Sequence, residues 1–219
     1  MPKKYYMFDF DGTLANSLPY WKKAMTEVLK NNGIKSNKKI IKTIIPLSVE
    51  KTAEYFMLLG INKSKNEILQ DIYLELKKIY TYNILLKPKV YKTLKELYEK
   101  GEKLYILSSA PYEFLEVCLK RNGIFNLFSF IWSSRDFEYG KTQKELYLLI
   151  AEKLKQSLNK KICNSDIYFF DDDLKVITAA KQAGFTVFGI YDKTNAKNKK
   201  EIKNVCGYYL KSLKQIKKL

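Results

Sequence analysis

Histidine does not occur in this 219-residue chain. Its absence excludes Ser-His-Asp and Cys-His mechanisms, phosphohistidine intermediates and histidine-ligated zinc. Cysteine is scarce: Cys118, Cys163 and Cys206 are widely spaced and odd in number, which leaves no disulfide framework or zinc-ligand spacing and suits a reducing compartment. A thiolate phosphatase needs an arginine six residues after its cysteine, whereas these cysteines lead to Ile124, Phe169 and Ser212. Neither a Gly-x-x-x-x-Gly-Lys-Ser/Thr loop nor a Gly-x-Gly-x-x-Gly fingerprint is present. No apolar run reaches the roughly 18 to 20 residues of a membrane span. A cleaved leader would remove the acidic motif near the N-terminus, so a cytoplasmic protein with no membrane partner is expected. Arginine is confined to Arg121 and Arg135, so the formal net charge of +17 is carried by lysine. Such charge attracts polyanions, but base and phosphate recognition favours the guanidinium fork. The lysines are scattered, with a denser tail from Lys193 to Lys218, and solvated helix faces explain them. A specific nucleic-acid partner is not expected, and a non-catalytic nucleic-acid-binding protein is the lesser alternative.

What remains for chemistry is carboxylate. Apolar residues make up 46% of the chain, enough for one domain, or one domain with an insertion, that buries roughly 70% of its unfolded surface. The apolar run Tyr5-Tyr6-Met7-Phe8 ends in Asp9-Phe10-Asp11-Gly12-Thr13. If the strand continued, Asp9 and Asp11 would project to one face. Two like charges so placed cost free energy unless a cation or a shared proton relieves them, and a divalent cation with oxygen ligands would do so. Gly12 permits a sharp turn, and Thr13 adds a hydroxyl and an amide.

Periodicity places the other candidates. Val90, Leu94, Leu97 and Tyr98 share a helical face that Gly101 closes, and Lys103 to Leu107 reads as a buried strand ending at Ser108-Ser109. A helix from about Pro111 turns Phe114, Leu115, Cys118 and Leu119 inward, with one of the two serines expected to cap it. Phe130-Ile131-Trp132 is a short strand, followed by a loop to Gly140-Lys141 and a helix with Leu146, Leu149, Ile150 and Leu154 inward. Asp166 to Phe170 is a strand ending in Asp171-Asp172-Asp173, which metal binding or helix N-capping would explain. Val176, Ile177, Ala180 and Ala183 line the next helix, and Phe185 to Tyr191 is a further strand. This alternation predicts an α/β fold, a Rossmann-like parallel sheet with helices on both faces. Asp9, Asp11, Ser108 and Asp171 to Asp173 then all fall at strand carboxyl ends, where open α/β sheets bind ligands, and five carboxylates would converge there. Residues 15 to 87 break the alternation and read as helices throughout, with Trp21, Ala24, Val28 and Leu29, then Thr52 to Leu59, then Ile68, Ile72, Leu76, Ile79 and Tyr80 as their apolar positions.

These stretches resemble the haloacid dehalogenase-like hydrolase superfamily, particularly its phosphatases with a helical cap inserted after the first strand. Asp9-Phe10-Asp11-Gly12-Thr13-Leu14 is similar to the first signature, Ser108 to the second, Gly140-Lys141 to the third, and Phe170-Asp171-Asp172 with Ala179 to Gly184 to the fourth. Ala15-Asn16-Ser17 and Thr142-Gln143-Lys144-Glu145 depart from the Val-Asp-Ser and Pro-x-Pro-Asp that many members carry. The resemblance implies a catalytic core of residues 1–14 and 88–219 and an all-helical cap of residues 15–87. It implies a Mg2+-dependent phosphatase for a small phosphorylated metabolite, working through an aspartyl-phosphate, or alternatively a phosphomutase of the beta-phosphoglucomutase kind. Asp9 would be the nucleophile and Asp11 the acid and base. Asp9, the Asp11 carbonyl and Asp172 would bind the metal, and Asp171 a water on it. Ser108, Lys141 and the amides around Gly12 would bind phosphate. Leu47, Ser48 and Lys51 are possible specificity contacts on the cap.

Overall fold

The computed structural model of the chain describes residues 4–45 and 47–218, with side chains described to residue 216. The chain divides into two compact units, Ser17–Ile84 and a second one running up to Asn16 and again from Leu85 onward.

The second unit opens with β1 (Tyr5–Phe8), fully buried. The first unit follows and is helical: α1 (Leu18–Asn31), α2 (Lys38–Ile44), α3 (Val49–Leu58) and α4 (Lys65–Tyr82). Helix α4 starts at a capping box, in which Ser64 Oγ accepts from the Glu67 amide (3.3 Å) and Glu67 Oε2 accepts from the Ser64 amide (2.8 Å), so two of the orphan donors of its first turn are satisfied. Its inner stripe of Ile68, Ile72, Leu76, Ile79 and Tyr80 is buried as the spacing predicts, and it packs against α1 and α3. Ser48 is the N-cap of α3, accepting from the Lys51 amide at 3.3 Å. The Ser48 hydroxyl, expected as a specificity contact, is thus engaged in starting a helix.

From Leu85 the chain returns to the core. The Asn16 amide donates to the Leu85 carbonyl (3.1 Å), the Lys87 amide donates to the Leu14 carbonyl (2.8 Å), and Ala15 bridges antiparallel to Leu86. Then come α5 (Val90–Glu99), β2 (Lys103–Ser108), α6 (Tyr112–Arg121), β3 (Phe130–Ser133), α7 (Lys144–Leu158), β4 (Ile167–Asp171), α8 (Leu174–Gln182), β5 (Thr186–Ile190), α9 (Lys199–Cys206) and β6 (Tyr209–Leu210). The six strands form one sheet in the order β3-β2-β1-β4-β5-β6, with every pair parallel. Strand β1 lies at the centre, and the order reverses direction between β1 and β4, which is the topological switch point of a doubly wound sheet.

Period-two alternation divides the core. Tyr5, Met7, Tyr105, Leu107, Phe169 and Val187 join the inner faces of α7 and α8 in one cluster. Phe8, Phe170 and Phe188 face the other way and stack across three strands, with ring centroids 4.9 and 4.6 Å apart. Two helix faces differ from expectation. In α5 Thr93 is buried and Tyr98 is 51% exposed, because a stripe of positions i, i+3, i+4 and i+7 from Val90 is complete without it. In α7 Tyr147 is buried and Leu149 is 41% exposed; the tyrosine hydroxyl has a partner inside, described below. The lysine-rich tail, expected to present solvated helix faces, contains α9 and the short β6. No helix among the described residues is long and apolar enough to cross a membrane.

Helix α9 and strand β6 approach β5 at Gly189, where a Cβ would overlap Ile202 Cγ2 and stand 2.9 Å from Tyr209 Cδ2. Gly189→Ala should therefore cost about 1–3 kcal/mol of stability by overpacking, read as a lower urea midpoint with an unchanged slope.

Candidate active site

Parallel pairing of β1 with β4 sets Phe8 opposite Phe170. Asp9 follows Phe8, its amide donating to the Phe170 carbonyl at 2.9 Å, and Asp171 is the last residue of β4. The two carboxylates therefore leave the sheet side by side at the switch point. Asp172 joins them: one carboxylate oxygen from each of Asp9, Asp171 and Asp172 lies within 4.8 Å of the others, and all three residues are buried. Into this group projects Lys141, itself buried, whose Nζ donates to Asp9 Oδ1 (2.6 Å) and Asp171 Oδ2 (2.7 Å). The loop delivering Lys141 lacks the prolines that many similar loops carry. It is held instead by Gln143 Oε1, which accepts from the Gly140 amide (2.8 Å), and by the Tyr147 hydroxyl, which donates to the Lys141 carbonyl (2.7 Å). That bond explains why Tyr147 faces inward.

Asp172 is oriented by neutral donors. Thr13 Oγ1 donates to its Oδ1 (3.3 Å) and Asn195 Nδ2 to its Oδ2 (2.6 Å). Gly12 has φ +84°, and a Cβ there would lie 2.6 Å from Asp172 Oδ1 and 2.8 Å from its Cγ. Both the left-handed backbone and the contact require glycine.

Three buried carboxylates face one ammonium, so charge is not balanced. Burial raises the Asp9 carboxyl to about 6 and the Asp171 carboxyl to about 7, with Lys141 opposing the rise in both. Burial also pushes Asp172 well above its usual range, reinforced by Asp171 and Asp9. Burial works against the Lys141 ammonium, but Asp171 and Asp9 outweigh it and raise its pKa, so it stays protonated. One cation shared between two acids is held firmly, while three acids around one cation remain under-compensated. Hard oxygen donors converging on one point with net negative charge are a donor set that Mg2+ fits.

The other expected residues separate. Strand β1 stops at Phe8, and the amides of Leu14 and Ala15 both donate to the Phe10 carbonyl (3.0 and 2.9 Å). The chain thus turns rather than running straight, and the Asp11 side chain lies outside the carboxylate trio while still raising Asp9. Convergence of five carboxylates was expected; the trio accounts for three. Asp173 is the N-cap of α8, its Oδ1 accepting from the Lys175 (2.8 Å) and Val176 (3.2 Å) amides. Ser108 ends β2 fully buried, and its Oγ accepts from the Ala110 amide at 3.1 Å. It closes that turn and does not cap α6, whose N-cap, Pro111, makes no side-chain bond. Asn195 was not anticipated. Its one signal is position, in the loop after β5, on the same carboxyl edge of the sheet as Asp9 and Asp171.

Two outcomes follow for the metal-free protein. An acid whose native pKa is raised binds more protons folded than unfolded, so stability falls as pH rises from the ordinary carboxyl value of 3.8 through about 6 to 7. Lys141 stays protonated across this window and does not alter the sign. A divalent ion replaces those protons, so the rise in melting temperature on adding Mg2+ should be larger at pH 7.5 than at pH 5, by about 2–4 °C for each kcal/mol of binding. An equal or reversed rise in differential scanning fluorimetry would contradict the trio as the ion's site. Gly12→Ala should add about 1–2 kcal/mol of left-handed strain and displace Asp172, so that the Mg2+-dependent rise disappears in the same titration.

A family model described as "Haloacid dehalogenase-like hydrolase" matches residues 6–190. A phosphorylated carbohydrates phosphatase of Thermotoga maritima is 23% identical over 191 residues, covering 86% of this chain and 86% of that protein. Among solved structures, a "putative beta-phosphoglucomutase" from Thermotoga maritima superposes with TM-score 0.82 at 21% identity, over 97% of this chain and 96% of that one. CbbY from Rhodobacter sphaeroides, in complex with phosphate, does so with TM-score 0.79 at 15% identity, over 98% and 96%. With the family model spanning β1 to β5 and the carboxylates standing at its strand ends, the chain belongs to the haloacid dehalogenase-like hydrolases.

Proposed function

We propose that this enzyme transfers the phosphoryl group of a small phosphorylated carbohydrate through Asp9, with Mg2+ as its cofactor. The observation that carries the reading is the buried trio of Asp9, Asp171 and Asp172, with Lys141 bridging the first two. The choice of carbohydrate draws on the names of the similar phosphatase and phosphoglucomutase.

In this reading Asp9, Asp172 and the Asp11 carbonyl would hold the ion, with Asp171 beside them; when bound, Mg2+ would lower the repulsion between an anionic nucleophile and a dianionic ester. The chain supplies the rest. A carboxylate oxygen of Asp9 attacks phosphorus, forming an aspartyl-phosphate as the ester P–O bond breaks. Asp11, outside the trio and partly buried, gives its proton to the departing oxygen. Lys141, with its charge held by the surrounding acids, and the Ser108 hydroxyl stabilise the phosphoryl oxygens, helped by the amides around Gly12. Asp11, now a carboxylate, takes a proton from the acceptor that attacks the aspartyl-phosphate, and Asp9 is regenerated.

The acceptor decides the net reaction. If it is a second hydroxyl of the sugar, the enzyme is a phosphomutase, the outcome the beta-phosphoglucomutase likeness favours; if it is water, the enzyme is a phosphatase, as the curated relative is named. A panel of hexose 1- and 6-phosphates with Mg2+, followed by phosphorus NMR, separates the two. A mutase interconverts positional isomers and responds to a catalytic sugar bisphosphate, whereas a phosphatase releases inorganic phosphate. Asp9→Asn should lower either activity by on the order of 10³-fold or more; a variant that keeps wild-type turnover would remove Asp9 from the chemistry.

A further inference from the structure

The loop after β5 carries polar groups that the reaction above does not use. Asp192, 5% exposed, directs Oδ1 at the amide (2.8 Å) and hydroxyl of Thr194. Its Oδ2 pairs with Lys87 Nζ at 3.0 Å. The same ammonium donates to the Tyr191 carbonyl (2.8 Å) and to the Gly12 carbonyl. Its three protons therefore have three acceptors within the core unit, and its side chain is 18% exposed. Asn195, three residues beyond Asp192, reaches Asp172 Oδ2 at 2.6 Å, and Asp172 lies against the α-carbon of Gly12. With the chain from Asp192 to Asn195 as one link, these contacts close a ring from Gly12 through Asp172, Asn195, Asp192 and Lys87 back to Gly12.

We propose that Asn195 and Lys87 are positioning residues, which fix the Asp172 carboxylate and the Gly12 turn in the arrangement that accepts the divalent ion. The inference rests on the metal reading of the preceding section. The chemistry of each member fits it. Asn195 donates a hydrogen bond to the Asp172 carboxylate without bringing a positive charge that would compete with the cation. Lys87 does bring charge, but Asp192 cancels it locally, so the pair clamps two backbone carbonyls while adding little net field at the trio. With Thr13 on Oδ1 and Asn195 on Oδ2, both oxygens of Asp172 have a donor that fixes the carboxylate plane. Partners of this kind orient first ligands, and their loss costs about 10–100-fold in metal affinity or activity.

The test is Mn2+ binding to the substrate-free protein by electron paramagnetic resonance, together with the Mg2+ activation curve of turnover. Asn195→Ala should weaken Mn2+ binding and raise the half-activating Mg2+ concentration by about 10–100-fold, with kcat at saturating Mg2+ within about threefold of wild type. Lys87→Met keeps the apolar stem and should move both quantities in the same direction, while Lys193→Ala, an exposed neighbour in the loop, should leave both unchanged. Wild-type Mn2+ affinity in Asn195→Ala and Lys87→Met, or a loss of kcat with unchanged affinity, overturns the proposal. Should Asn195→Ala fail to fold, Lys87→Met decides by the same two readings. A wild-type protein that binds Mn2+ but turns over no phosphate ester defeats the proposed function while the ring is still judged by affinity. A variant that binds as tightly as wild type defeats the ring alone.

Discussion

Three carboxylates buried around a single ammonium are the constraint on which the rest of the architecture turns. Withdrawing one acid from water is expensive, and withdrawing three beside each other is tolerable only with fixed positive charge and directed donors. Every group around the trio answers to this. Lys141 divides its charge between Asp9 and Asp171, the Asp173 amide binds Asp171 Oδ1 at 2.8 Å, and Thr13 and Asn195 attend to Asp172. The negative charge left over is what a divalent cation would offset.

The parallel sheet provides the geometry at little local cost. Adjacent strands deliver Asp9 and Asp171 in register at the reversal of strand order between β1 and β4, the place where open α/β sheets bind ligands. The stacked rings of Phe8 and Phe170, continued by Phe188, sit one position behind Asp9 and Asp171 on the opposite face. The residues that precede the chemistry are thus packed as tightly as the interior allows, which limits rotation of the strand ends.

Much of this could be read from the chain. Alternating strand and helix gave the sheet, the apolar spacing of α4 gave its buried stripe, and the acids at strand ends gave the trio's members. What escaped depended on side chains meeting across the fold. Asp9 and Asp11 look equivalent in a linear motif, but hydrogen bonds to the Phe10 carbonyl turn the chain between them and give them different surroundings. Asp171, Asp172 and Asp173 look like one acidic run, yet the last starts a helix and the first two do not. Nothing local marks Asn195 or Lys87, whose partners lie 23 and 75 residues away. Tyr147 was passed over because helical periodicity weighs apolarity alone and cannot see the carbonyl its hydroxyl meets.

The pairing of Asn16 with Leu85 and of Leu14 with Lys87 has a consequence for how such a chain can diversify. Departure and return are stitched together at one point, so the 68 residues of Ser17–Ile84 form a closed excursion whose length and content do not set the strand register of the core. Deliberate grafting can exchange that excursion as a cassette, leaving the carboxylate site on its own foundation.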